Sequence, residues 1–372
     1  MDFIFDSVLI LAAVFLSIQL VYLLFIFSRL AFYSEKQTIH KKDEPVSVIL
    51  CARNELENLK RNLPLLLQQD YPDFEVIVVN DNSWDDTSDY LDELKMQYSN
   101  LKEVKFVEAE KYPKGKKFVL TLGIKAAKNE ILLHTDADCT PASNQWIRLM
   151  QSKYKPSTHI VLGFSPYVKE NTALNIFIRF ETFLTGLQYL SFALLRMPYM
   201  GVGRNLSYRR SLFFAHKGFA SHNHILSGDD DLFVNEAATA NNTEIEIDRK
   251  AFTFTQGKKT FSQWWTQKCR HLSTGKYYKG QNKFLLGLFN STQILFLFSL
   301  IFLLAQPHMY LEVIVLWSIR FFVQAIIYGF SMRKLGCTQL IFLIPLLDIL
   351  YSIYYLAIGV RTLFIKNKTW TL

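Results

Sequence analysis

Residues 7–28 contain no charged side chain and a single amide, Gln19. As a helix this run of about 22 residues is ~33 Å long, enough to cross the hydrocarbon core of a bilayer. Lipid admits only helices or closed barrels, so nothing else in the chain restricts its fold as strongly. The flanks argue for a retained anchor. The preceding residues are acidic (Asp2, Asp6) instead of basic, and no small-residue cleavage site follows. Three further apolar stretches, 285–305, 309–330 and 338–360, are separated by Gln306-Pro307-His308 and by Arg333-Lys334-Leu335-Gly336. Four membrane segments are therefore expected, one N-terminal and about three C-terminal. A 372-residue chain that is 50% hydrophobic, with 31 Phe and 18 Tyr, is too apolar to be wholly soluble.

Basic residues set the expected orientation. Arg29, Lys36, Lys41 and Lys42 follow the first segment, and Lys276, Lys279 and Lys283 precede the second, which places the middle of the chain in the cytoplasm. Four crossings would leave Arg361, Lys366 and Lys368 outside, against the same rule, so the last stretch, with Pro345 and Asp348, is left open between a crossing and a re-entrant or interfacial segment. The expected division is an anchor at 1–33, a soluble domain at 34–283 and a membrane region at 284–372. The net charge of +8 is concentrated beside membrane segments, where anionic lipid explains it without nucleic acid. Four scattered cysteines form no Cys-x-x-Cys pair and suggest neither zinc nor disulfides.

In the soluble middle, strands are expected at 46–51, 74–79, 103–107 and 131–133. They alternate with helices at 56–69 (interrupted at Pro64), 85–98 and 118–128, which argues for an α/β domain with a mostly parallel sheet. Each of three strands ends in a polar loop: Ala52-Arg53-Asn54-Glu55, Asn80-Asp81-Asn82-Ser83, and Asp136-Ala137-Asp138. Loops at the C-terminal ends of parallel strands are where such sheets bind ligands. Two carboxylates one residue apart suit a hard divalent cation, although a solvated turn is the plainer account of Asp-x-Asp. Further on come a strand near 160–163 and a long apolar helix at 173–197, buried or interfacial. A glycine-containing segment follows at 200–208, then the triplet Asp229-Asp230-Asp231 and a basic helix bearing Trp264 and Trp265. Crowded carboxylates raise one another's pKa and can yield a proton acceptor near neutrality; the alternative is an acidic helix N-terminus that complements the dipole. Polar residues in apolar stretches (Asn290, Gln293, Arg320, Asp348) line a path or bind helix to helix. His222 and His224 read as loop residues near the acceptor cleft.

Together these motifs resemble the membrane-bound glycosyltransferases of family 2, the inverting GT-A type that includes hyaluronan and cellulose synthases and ceramide glucosyltransferase. The resemblance runs from about Pro45 to Tyr278. It rests on Val-Ser-Val-Ile-Leu-Cys-Ala-Arg-Asn-Glu at 46–55 and Val-Asn-Asp-Asn-Ser-Trp-Asp-Asp-Thr at 79–87. It also rests on Lys114-Gly115-Lys116-Lys117, Asp136-Ala137-Asp138, Gly228-Asp229-Asp230-Asp231-Leu232 and Gln267-Lys268-Cys269-Arg270-His271. It implies a Rossmann-like nucleotide-sugar-binding domain with Mg²⁺ or Mn²⁺ on Asp136 and Asp138. Arg53, Glu55, Asp81, Lys116 and Asp136, with Gln267 and Arg270, would bind the donor, a UDP-sugar being the commoner choice. Asp229 or Asp230 would be the base, with Asp229 favoured by register. The acceptor would be lipid-linked or a membrane-proximal saccharide, with membrane lipid as a partner, at a bacterial cell membrane. His271 stands where processive synthases have Trp, which weakens that alternative. An inactive membrane-tethered scaffold is the third reading.

Overall fold

The structure, a computed structural model, describes residues 2–34, 43–107, 115–225 and 227–364. Lys36, Lys41, Lys42, Lys114, Lys366 and Lys368 therefore lie outside the described residues, as does the first half of the basic turn expected at 112–117.

The strands are β1 (Val46–Ala52), β2 (Phe74–Asp81), β3 (Leu101–Phe106), β4 (Ile131–His134), β5 (Thr140–Pro141), β6 (Ile160–Leu162), β7 (Leu206–Arg209), β8 (Thr243–Ile245) and β9 (Thr253–Phe254). Seven form one sheet in the order β3-β2-β1-β4-β7-β6-β8, and β5 pairs with β9 apart from it. β1, β2, β3 and β4 are parallel, whereas β7 runs antiparallel to both β4 and β6. The expected mostly parallel sheet is thus present, and mixed. Side chains on successive strand residues point to opposite faces, so one apolar run serves two cores. Ile49, Ile77, Val79 and Leu132 enter the core that reaches the membrane helices, while Val48, Leu50, Val76, Val78 and Leu133 pack on the other side.

The helices are α1 (Asp2–Val21), running through a wider turn at Tyr22–Phe27 into α2 (Ser28–Ala31), then α3 (Leu56–Leu67), α4 (Thr87–Gln97), α5 (Lys116–Ala126), α6 (Trp146–Ser152), α7 (Ala173–Leu194), α8 (Arg210–Ala215), α9 (Asp231–Ala237), α10 (Phe261–Leu272), α11 (Gly280–Leu303), α12 (Tyr310–Leu335) and α13 (Ile344–Phe364). One expectation fails at α3, which runs through Pro64 without a break. Proline forfeits one bond to the carbonyl of Lys60, which sits at an exposed position. Leu59, Leu63 and Leu66 meanwhile keep a continuous buried face. α7 is buried along most of its length, with Phe183 against Tyr328 of α12 at 5.4 Å and Phe177 against Tyr354 of α13 at 5.6 Å.

Among the described residues, four helical segments, 3–31, 280–303, 307–335 and 338–361, are long and apolar enough to cross a membrane. Pro345 falls in the first turn of α13, where a missing N–H costs little. Asp348 is buried and ion-paired with Arg320 at 2.7 Å, and it accepts hydrogen bonds from Gln293 and Gln324. These groups therefore tie α11, α12 and α13 together and do not line a path; only Asn290 of the four faces a cavity. The soluble domain is touched just ahead of the last apolar stretch, at the end of α12, and again midway along α13. Arg249 donates to the carbonyl of Arg333 just before Gly336, and Tyr354 packs on Trp264 of α10 with ring centroids 5.0 Å apart.

Candidate active site

The loops after β1 and β2 are built as a pair. Asn54 and Asn82 both take the left-handed conformation (φ 55° and 51°), which Asn tolerates better than most side chains. The Asn54 N–H donates to Ser83 Oγ at 3.1 Å, the Trp84 N–H to Asn54 Oδ1 at 3.0 Å, and the Leu56 N–H to Asp85 Oδ2 at 3.2 Å. This lacing sets Arg53 beside Asp81, Nη1 to Oδ2 at 4.0 Å, with its guanidinium 5.7 Å from the centroid of the exposed Trp84 ring. Glu55 accepts from Asn58 at 2.5 Å, and burial, reinforced by Asp138 and Asp136, pushes its carboxyl above the usual range.

At the end of β4, Asp136 Oδ1 lies 2.7 Å from Lys116 Nζ, and the same ammonium lies 3.2 Å from Asp229 Oδ2. Enclosure would lower the Lys116 pKa, but Asp136 and Asp229 outweigh it and hold it well above its ordinary value. Asp138 Oδ2 accepts from Thr255 Oγ1 at 3.1 Å. Ligand atoms of Asp136, Asp138 and Cys139 all lie within 4.8 Å of one another. Cys139 is buried, and burial holds its thiol well above its ordinary pKa, so the available donors are carboxylate oxygens. Hard oxygen donors of this kind fit Mg²⁺ or Mn²⁺.

The acidic triplet divides into different jobs. Gly228, at φ +94°, turns the chain so that three carboxylates follow in sequence without sharing a face. Asp230 caps α9: its Oδ1 accepts the Asp231 N–H at 2.8 Å and its Oδ2 the Gly203 N–H at 2.7 Å. Asp231 is buried and accepts from Tyr278 at 2.7 Å and from Thr274. The helix-terminus account thus covers Asp230 and Asp231 but not Asp229, which faces Lys116 and Asp136. Burial alone would raise Asp229; Lys116, a backbone N–H and Lys117 hold it below the usual value. Burial, then Asp229 and Asp231, push Asp230 up to about 7.

Gln267 and Arg270, on α10, complete the set. Every site residue expected from the sequence lines one cleft of about 700 Å³. The histidines do not. His222 is buried, with Nδ1 2.8 Å from Lys117 Nζ, which also donates to the carbonyls of His222 (2.7 Å) and Ile225 (2.9 Å). His224 instead packs edge-on to Tyr277. Lys117 was missed because the resemblance gives a role only to Lys116 beside it, yet it ties the loop ahead of the acidic triplet to α5. Arg204 was missed too: it lines the cleft with its guanidinium 4.7 Å from the centroid of Tyr167. Its signal lay in the 200–208 segment, noticed only for its glycines.

The cleft does not stop at the carboxylates. α11 turns Lys283, Leu286, Gly287 and Asn290 toward it, and α13 turns Tyr351, Tyr354, Tyr355 and Ile358, each set at i, i+3, i+4, i+7 spacing. One helical face from each apolar helix therefore walls the same cavity as the acids.

Comparison with known proteins agrees with this architecture. The chain is 35% identical over 99 residues to a poly-beta-1,6-N-acetyl-D-glucosamine synthase of Staphylococcus epidermidis, a match that covers 27% of this chain and 23% of that protein, so the chain spans under a quarter of that relative's length. It is 26% identical over 368 aligned residues to the probable glycosyltransferase YdaM of Bacillus subtilis, covering 87% and 83% of the two chains. Among solved structures, the mannosyltransferase PcManGT from Pyrobaculum calidifontis, described in complex with GDP-Man and Mn²⁺, has the same fold. Its TM-score is 0.63 at 17% identity, covering 98% of this chain and 100% of that one. Residues 47–218 match the family described as Glycosyl transferase family 2. A glycosyl transferase family 2 domain, matched over residues 47–218, is thus set among four long apolar helices.

Proposed function

We propose that the protein moves a sugar from a nucleotide-sugar, a UDP-sugar in the first instance, to a lipid-linked acceptor, with inversion at the anomeric carbon. The observation that carries this reading is the single cleft joining Arg53, Asp81 and the acids to the inner faces of α11 and α13. A water-soluble donor enters at the strand-end loops and a membrane acceptor from the helices.

Arg53 and Asp81 hold the nucleotide, and Trp84 offers an exposed indole beside them. Lys116 positions the diphosphate and keeps Asp136 and Asp229 compatible as neighbours. A divalent cation, held by Asp136 and Asp138 when bound, supplies Lewis-acid charge for the departing nucleotide diphosphate. Asp229 takes the proton from the acceptor hydroxyl as its oxygen attacks, because the oxygens of Asp230 are already engaged with backbone N–H groups. Gln267 and Arg270 close the cleft from α10. The Arg270 guanidinium, with Lys116 opposite, favours the negative charge that develops on the leaving group.

Because the chain meets the soluble domain at Arg333, just before the last apolar stretch, and again at Tyr354 within it, that stretch is read as re-entrant. Arg361 then shares a side with Arg29 and Lys283, which removes the conflict with the distribution of basic residues. The catalytic domain is placed on the cytoplasmic side of a bacterial cell membrane. The test is nucleotide-sugar hydrolysis by purified protein, with and without Mn²⁺, across a panel of UDP- and GDP-sugars. No metal-stimulated turnover of any donor would defeat the proposal.

A further inference from the structure

Gln267 and Arg270 reach the cleft from α10, and α10 is seated on α7 by two contacts of different kinds. Trp264, fully buried, meets Phe177 of α7 edge-on with ring centroids 5.5 Å apart. One turn further along each helix, Lys268 forms an ion pair with Glu181. The two contacts repeat at i, i+4 on both helices, so they lie on one seam and together fix the setting of α10 along α7. Lys268 and Glu181 are 9% and 7% exposed, which separates them from surface pairs of negligible worth. Losing one partner would leave a buried charge behind.

The pair also decides which cation of α10 is free. Glu181, Lys268 and Arg270 all lie in the wall of the cleft. Among the described residues Lys116 is engaged by Asp136 and Asp229 and Lys268 by Glu181, while Arg270, exposed in the cleft, has no carboxylate partner. Were Glu181 not already occupied, its carboxylate would draw the Arg270 guanidinium and repel an incoming diphosphate. With Lys268 in that place, Arg270 stays open to an external anion.

We propose that Glu181 and Lys268 are positioning residues, whose ion pair holds α10 against α7 so that Gln267 and Arg270 meet the nucleoside diphosphate of the donor. The same pair keeps Arg270 unspent. This rests on the transferase reading, which supplies the anion that Arg270 meets.

The full-length parent, Glu181→Gln, Lys268→Met and the double variant are purified in detergent. Each is measured for melting temperature, for binding of UDP and of GDP by calorimetry with Mn²⁺, and for hydrogen exchange of 261–272. Both single variants should bind the nucleotide about tenfold more weakly, the loss of one charged contact, and exchange faster in 261–272 while β1 and β2 stay protected. The double variant strands no charge, so its melting temperature should return toward the parent's, yet its weak binding and fast exchange should persist. A merely structural pair would instead restore binding together with melting temperature. Lys259→Met is the control: it breaks the 2.6 Å ion pair with Glu170 at the entry to α10, outside the cleft, and should leave binding unchanged. Parent-like affinity in the single variants, recovered affinity in the double, or an equal loss in Lys259→Met overturns the positioning role. A parent that binds UDP or GDP, with variants that bind as well, keeps the transferase and removes the latch. A parent that binds neither removes the transferase reading and, with it, the partner assigned to Arg270.

Discussion

Lys116 and Asp136 form an ion pair of 2.7 Å, and the same ammonium bridges to Asp229 at 3.2 Å. One lysine from the start of α5 thus joins the acid after β4 to the acid ahead of α9, residues nearly a hundred positions apart in the chain. Two carboxylates so placed would repel each other, and the ammonium between them offsets that repulsion.

Removing that cation has a predictable sign. In Lys116→Met, Asp229 loses the charge that holds its pKa down, while burial and its neighbours keep pushing up. The acid limb of the pH–rate profile should move upward by about one pH unit, so that activity falls further at about pH 4–5 than at about pH 8. Donor hydrolysis followed across pH measures it. A uniform loss at every pH would contradict the role given to Lys116.

Asp229→Asn should lower transfer by about 10²–10⁴-fold, the usual worth of a positioned general base. Asp138→Ala should instead remove the dependence on Mn²⁺. Both variants should elute from size exclusion in detergent as the parent does. Retained metal stimulation in Asp138→Ala would dismiss the cation site.

Asp230 predicts a pH-dependent stability. Its carboxyl is raised from 3.8 to about 7, so the folded chain keeps a proton that the unfolded chain releases. That contribution is fully present below about pH 4 and is lost as pH climbs through 7. Asp230→Asn can still cap α9 and has no such titration. Melting temperatures of the two proteins should therefore draw apart between pH 4 and 7, the parent falling relative to the variant. Parallel curves would contradict the shift.

Lys117→Met strands three acceptors, His222 Nδ1 and the carbonyls of His222 and Ile225. At roughly 1–3 kcal/mol for each buried acceptor left unpaired, the loop ahead of Asp229 should loosen before the whole domain does. Hydrogen exchange of peptides covering 216–225 should accelerate while β1 and β2 remain protected. Exchange in that loop indistinguishable from the parent's would remove the tether.

In the membrane bundle, Asp348→Leu leaves Arg320 buried and unpaired, a loss on the order of 3–5 kcal/mol. The double replacement Arg320→Met with Asp348→Leu should recover most of it. Thermal aggregation in detergent reads both, and equal stability of the single and double variants would show that the pair is not coupled.

Much of this was legible in the chain. The charge-free run at 7–28 and three later apolar stretches announced helices for lipid, since composition over about twenty residues suffices for that conclusion. Buried parallel strands showed as short β-branched runs, and three of them ended in loops whose acids now line the cleft. Local pattern carries such information because strand period and strand end are properties of neighbouring residues. Pro64 misled for the same reason: a local rule predicted a break, and the buried leucine face of α3 overrode it.

Other features could be decided only by packing. Nothing in the order Asp229-Asp230-Asp231 reveals which carboxylate is spent on a helix cap, which on Tyr278, and which faces Lys116, because those partners come from distant parts of the chain. The same holds for Lys117, for Arg204, and for the way Asp348 is absorbed by Arg320. Sequence alone determined that the chain has lipid-compatible helices and a sheet with acidic strand ends. Only the tertiary structure determined that the two share a single cavity, because long-range contact depends on where helices return in space and not on what precedes or follows them in the chain.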